Sequence, residues 1–288
     1  VKKKLSVVLV LVAISALVVT CRESQKGDRL PSSRALQPYQ AKDFSYLLGM
    51  EGFSEALLKT HFALYQGYVT NTNKLLEKLR SYAKSGRTDT PEYAELKRRL
   101  GFEFNGMKLH EYYFGNLGGA GVLPEDNALY EAIKENFGSF ENWKEDFLST
   151  GKMRGIGWVI LYQDPSTGRL VNTWINEHET GHLTGCVPLV VLDVFEHAYL
   201  LDYGLDRAAY MDAFFKNLDW KVVLERFGVE VPEGAIPEKP QGVSAEAPSG
   251  QEEHQAVSAA EEGRHEKAPA GKGAGEGHEP EAAQAHHG

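Results

Sequence analysis

The stretch Asp193-Val-Phe-Glu196-His197-Ala-Tyr199-Leu-Leu-Asp202-Tyr203 stands where one periodicity gives way to another. Before it, Val187 to Leu192 is a short apolar run that reads as a strand. After it, residues 196–227 read as helix. Asp193 therefore ends a strand, and His197 lies four residues on, at the next helix start. A carboxylate and an imidazole this close can share a metal ion. Each also has an ordinary reading, Asp193 as a cap of the following helix and His197 as a first-turn residue.

Working outward, Trp158-Val-Ile-Leu-Tyr162 and Leu170-Val-Asn-Thr-Trp174 flank the breaker Asp164-Pro165-Ser-Thr-Gly168. That is strand, turn, strand. Residues 126–151 look helical, and Gly118, Gly119 and Gly121 before them suggest a hinge. Further back, Leu57, Leu58, Phe62, Leu64, Tyr65, Tyr68, Leu75, Leu76 and Leu79 repeat with helical spacing over 54–82. Ser54 is a plausible N-cap and Glu55 a favourable first-turn residue. Ser85, Gly86, Asp89 and Pro91 break the run, and a second helix covers roughly 92–115. The order predicts an α+β fold. An N-terminal long helical hairpin (41–120) precedes a C-terminal domain (121–228) with a small three-stranded antiparallel sheet flanked by helices.

The ends differ from this middle. The 288 residues carry a net charge of −9, which argues against nucleic acid as a partner. Residues 1–21 hold Lys2, Lys3 and Lys4 and no acid, while 229–288 carry −8. The run Leu5 to Val19 follows the lysines and Cys21 comes at once after it. This is a secretory-type segment, too short for an ordinary span. Val18-Val19-Thr20-Cys21 resembles a degenerate lipobox, with lipidation at Cys21; an uncleaved anchor helix and simple signal cleavage are the alternatives. The expected setting is exported, in the cell envelope or periplasm, tethered to a membrane. Residues 22–40 are polar and read as a flexible tether. Residues 229–288 lack Phe, Trp, Tyr, Leu and Met, so they cannot bury enough apolar surface to fold. This acidic tail holds His254, His265, His278, His286 and His287, without the close spacing of a preformed metal site.

Two metal readings compete in the middle. His178-Glu179-Thr180-Gly181-His182 matches H-E-x-x-H, which on a helix aligns two imidazoles for zinc and offers Glu179 as general base. Thr180 and Gly181 are poor helix formers, and Pro188 stands where a third histidine would be needed. The other reading is distributed: His61 on the first long helix, His110 on the second, then Asp193 and His197. Three imidazoles and one carboxylate suit Fe or Mn. Singly, each histidine could be a packed or surface residue, and spacing alone does not select these four.

Resemblance decides between them. The 193–203 stretch is similar to the D-x-W-E-H-A-Y-Y-x-D-Y signature of iron/manganese superoxide dismutases. His61 with Tyr68-Val69-Thr-Asn71-Thr-Asn73 resembles that family's first-ligand helix, and His110-Glu-Tyr-Tyr-Phe114 its second-ligand segment. Phe137-Gly138-Ser139-Phe140 and Gly155-Ile-Gly157-Trp158 match further blocks in order. The resemblance spans about 41–228. It implies one Fe or Mn ion per subunit, held by His61, His110, Asp193 and His197. It implies superoxide anion as substrate, dismuted to dioxygen and hydrogen peroxide.

Tyr68 falls on the family's gateway tyrosine and Trp158 on its pocket tryptophan. His178 takes one of the two places from which a glutamine usually bonds the metal's solvent ligand; Gly106 occupies the other. Glu196 keeps the family's contact across a homodimer. Departures are the His61–Tyr68 spacing of seven rather than eight, Leu200 in place of a tyrosine, and Phe114 and Phe195 in place of tryptophans. The rival functions are an H-E-x-x-H zinc protease using His178, Glu179 and His182, and a non-catalytic lipoprotein on the same fold.

Overall fold

The described part of the chain, residues 37–228 in this computed structural model, opens with a 3-10 turn at Ser45–Leu47 followed by two long helices. The expected signal segment with Cys21, most of the tether and the acidic tail lie outside these residues. Helix α1 (Glu55–Lys84) starts at Ser54, whose hydroxyl accepts from the Leu57 N–H; such a cap is worth ~1 kcal/mol. It buries Leu57, Leu58, His61, Tyr65, Val69, Thr72, Leu75 and Leu79 along one stripe. Helix α2 (Pro91–Gly115) is capped by Thr90, with Pro91 where a missing N–H costs nothing. The pair forms the expected hairpin.

Helices α3 (Ala128–Phe137) and α4 (Phe140–Gly151) follow. The sequence suggested one helix over 126–151. Gly138, at φ 86°, ends the first, and the Ser139 hydroxyl caps the second. Strands β1 (Gly157–Gln163), β2 (Leu170–Asn176) and β3 (Val187–Asp193) make an antiparallel sheet in the order β2-β1-β3. β1 is buried almost throughout because it is central. The ladder sets Trp158 directly opposite Asp193.

The chain then makes a 3-10 turn at Glu196–Ala198, a short helix α5 (Leu200–Tyr203), and helices α6 (Arg207–Lys216) and α7 (Trp220–Phe227). This corrects the single helix read over 196–227. Gly204 ends α5, and Asp206 and Asp219 cap the next two.

The hairpin and the sheet share one apolar core, with Trp143, Trp158 and Trp220 all fully buried. Asn116, at the end of α2, donates to the Val191 carbonyl at 2.6 Å. Arg226 on α7 donates to the Leu189 and Tyr112 carbonyls at 2.8 and 3.1 Å. The glycines read as a hinge form a docking seam instead. Gly118 and Gly121 donate N–H bonds to the Asn217 and Leu218 carbonyls, and a Cβ on Gly119 would strike the Asp219 backbone. Among the described residues no helix is long and apolar enough to cross a membrane.

Candidate metal centre

Four elements converge on one point. α1 brings His61, α2 His110, the end of β3 Asp193, and the 3-10 turn His197. One ligand atom from each lies within 4.8 Å of the others. Two donors about 2 Å from a common centre stand up to ~4 Å apart, so the cluster is close to the size one ion would gather. Burial is complete for His61, His110 and Asp193, while His197 keeps partial access.

The nitrogens are already oriented. His110 Nδ1 lies 2.6 Å from the Gly106 carbonyl and must donate its proton there. Its Nε2 lone pair therefore faces the cluster. His61 Nε2 and His110 Nε2 stand 3.2 and 3.7 Å from Asp193 Oδ2, yet both are buried without a hydrogen-bond partner. Buried polar atoms left bare cost free energy, and a cation here would use both lone pairs. Burial pushes both rings below the ordinary histidine range, with His110 the more strongly depressed. Neutral imidazoles are the ligating form.

Asp193 is the hub. Burial alone would raise its pKa, but His197 and His61 beside it hold the carboxyl well below the usual range. The Phe195 N–H donates to Oδ1 at 2.8 Å, and His197 Nε2 stands 3.1 Å from Oδ2. Its backbone is held too: Tyr210 donates to the Asp193 carbonyl at 2.7 Å, and the Tyr113 hydroxyl lies 3.1 Å from that of Tyr210. An anionic carboxylate with three neutral imidazoles is a borderline-hard donor set that fits Fe or Mn.

A second layer surrounds this cluster. The Trp158 indole donates to His178 Nδ1 at 3.0 Å. Indole is only a donor, so Nδ1 accepts and the proton of neutral His178 sits on Nε2. Nε2 then donates to the Tyr68 oxygen at 2.8 Å. Burial pushes His178 down to about 4, which keeps it neutral. Phe195 stacks between His178 and His197, at 4.8 and 5.1 Å between ring centres. Gly106 leaves space that Tyr68 fills: a Cβ there would lie 2.6 Å from the tyrosine ring.

The H-E-x-x-H reading is overturned. The pentad lies on the β2–β3 connection, not on a helix. Glu177 at φ 51° and Gly181 at φ 112° are incompatible with helical backbone. Glu179 is exposed and reaches toward Gly101 of α2 rather than the cluster. His182 lends both nitrogens elsewhere, Nδ1 to the Tyr162 hydroxyl at 2.8 Å and Nε2 to the His178 carbonyl at 2.9 Å. Glu196 is exposed beside the site, as is Leu200. Three contributors escaped sequence reading: Tyr210, Tyr113 and Phe102, whose ring lies 4.6 Å from that of His178. Each looked like a core aromatic, and no local signal marks an aromatic as facing a metal site.

The comparisons agree with this geometry. Residues 125–226 match the family model described as iron/manganese superoxide dismutases, C-terminal domain. The iron superoxide dismutase of Aquifex aeolicus is 39% identical over 193 residues, covering 65% of this chain and 90% of that protein. That of Cupriavidus metallidurans is 40% identical over 187 residues, covering 63% and 92%. A manganese superoxide dismutase of Halobacterium salinarum is 34% identical over 178 residues, covering 60% and 86%. The chain belongs to the iron/manganese superoxide dismutase family, oxidoreductases that convert superoxide to dioxygen and hydrogen peroxide with an Fe or Mn ion.

Proposed function

We propose that His61, His110, Asp193 and His197 are the ligands, and that Tyr68, His178 and Trp158 manage protons beside them. The carrying observation is the pair of buried, unpartnered imidazole nitrogens facing an ionised Asp193. A bound ion supplies one-electron chemistry between its +3 and +2 states. The chain does the rest. Asp193 lends negative charge, which favours the higher oxidation state of an ion at this site. Dismutation of two superoxide anions consumes two protons, and the Phe114 and Phe195 rings beside the cluster cannot donate them. Tyr68 and His178 are the polar groups beside those rings. His178 donates to the Tyr68 oxygen, so the Tyr68 hydroxyl donates its own proton to a group other than His178. Trp158 holds the His178 tautomer that makes this possible.

Metal analysis of the full chain, loaded separately with Fe and Mn, tests the ligand set. The expected result is near one ion per chain with superoxide-dependent activity, lost in His110→Ala and with the ion retained in His182→Ala. The reverse pattern refutes the assignment.

The cellular setting is the second part of the proposal. Lys2–Lys4, the apolar run Leu5–Val19 and Cys21 support export and tethering to a membrane by a lipid on Cys21 or by the apolar run itself. Cys21→Ala should move a lipid-tethered protein into the soluble fraction; an unchanged membrane fraction favours the anchor helix. A homodimer contact through the exposed Glu196 completes the proposal, and sedimentation of Glu196→Ala against wild type tests it.

A further inference from the structure

One histidine of the pentad is left over once the metal centre is drawn, and it is His182. The β2–β3 loop turns sharply around His178. Asn176 donates to the Thr180 carbonyl at 2.7 Å, enclosing Glu177, His178 and Glu179 in a three-residue reversal. Glu177 takes the left-handed region, and a Cβ on Gly181 would lie 2.5 Å from the Trp174 carbonyl oxygen. Glu177, Glu179 and Thr180 are all exposed, so their side chains do not hold the turn. His178 is nevertheless fully buried at its centre.

His182 supplies a further restraint on the turn. The His178 carbonyl can only accept, so His182 Nε2 carries the hydrogen and donates across 2.9 Å. With the hydrogen on Nε2, Nδ1 accepts from the Tyr162 hydroxyl at 2.8 Å. Tyr162 is buried in β1, four residues along the same strand from Trp158. His178 is thus tied to the central strand twice. Trp158 holds its ring, and Tyr162 holds its backbone through His182.

We propose that His182, braced by Tyr162, is a positioning residue for the dismutation reaction. It fixes the His178 backbone so that the imidazole keeps its bonds to Trp158 and Tyr68 together. This rests on the reading of His178 as a proton-handling group at the metal centre. It also gives the H-E-x-x-H spacing a different meaning. The two histidines are coupled backbone to side chain, not through a shared ion.

The experiment uses the iron-loaded full chain, titrated with azide as a small-anion probe. The readouts are the visible absorption band, the azide dissociation constant and the pH profile of turnover. His182→Ala and Tyr162→Phe are expected to keep the ion, displace the band and change the azide constant about 3–10-fold, less than a direct outer-sphere loss. His182→Gln, whose amide both donates and accepts, should restore wild-type values. A lowered melting temperature with an unmoved band and azide constant overturns the proposal, as does loss of the ion from His182→Ala. His178→Ala separates the two layers of the argument. If it moves neither readout, the reading of His178 fails. If it moves both and His182→Ala moves neither, only the positioning role fails.

Discussion

Two groups of histidines sit a few ångströms apart and have opposite fates. In the quartet, His61 and His110 each keep a buried nitrogen that no protein group satisfies. In the β2–β3 loop, all four ring nitrogens of His178 and His182 are engaged, by Trp158, Tyr68, Tyr162 and a carbonyl. The residue type is the same; the quartet's nitrogens turn toward Asp193, whereas those of the loop are spent on partners outside the cluster. A motif search counts histidines, whereas coordination needs nitrogens that remain unspent.

The largest test of this contrast is His61→Ala. It removes a direct donor, so metal affinity should fall by more than the ~10–100-fold typical of outer-sphere changes. Metal content after dialysis and activity should vanish together; retained metal would break the distinction. Next comes His178→Ala, which removes the outer-shell group and should keep the ion and lower turnover by about 10–100-fold. Equal loss of metal in both variants would make the loop part of the coordination sphere.

The third test uses pH. An unfolded histidine titrates near 6.5, but native His178 stays neutral down to about 4. As pH falls between these values, the unfolded chain takes up this proton and the native one does not. His178 therefore lowers stability across that window by up to ~1.4 kcal/mol per pH unit, and its contribution levels off below about 4. Denaturant titrations of the loaded protein at pH 7, 6 and 5 should show a shallower decline in His178→Gln. An identical slope would mean the ring is not held neutral.

Smaller effects sharpen the picture. Tyr210→Phe removes the hydroxyl that holds the Asp193 carbonyl and should cost ~1–2 kcal/mol in chemical unfolding. Glu177→Asn replaces a left-handed residue with one that tolerates that region, and should raise stability by under ~1 kcal/mol. A loss of stability there would mean that Glu177 makes a compensating contact.

Much of the architecture was legible from periodicity and capping. The 54–82 stripe with Ser54 became α1, and the strand-turn-strand of 158–174 became β1 and β2, because these patterns depend on neighbours close in the chain. The single helix read over 126–151 failed at Gly138, where one left-handed residue ends a helix whose apolar pattern continues. The 196–227 helix failed for the same kind of reason at Gly204. Asp193 and His197 were legible as candidate ligands through their resemblance to a signature, not through spacing.

By itself, then, the chain determined its long helical hairpin, its strands and the family it belongs to, since local periodicity and short motifs are written in adjacent residues. The tertiary structure alone decided which nitrogens stay available. That depends on Trp158 and Tyr162 consuming the lone pairs of His178 and His182 from across the fold. Hydrogen-bond partners brought together by packing are set by geometry in space, and no spacing along the chain encodes them.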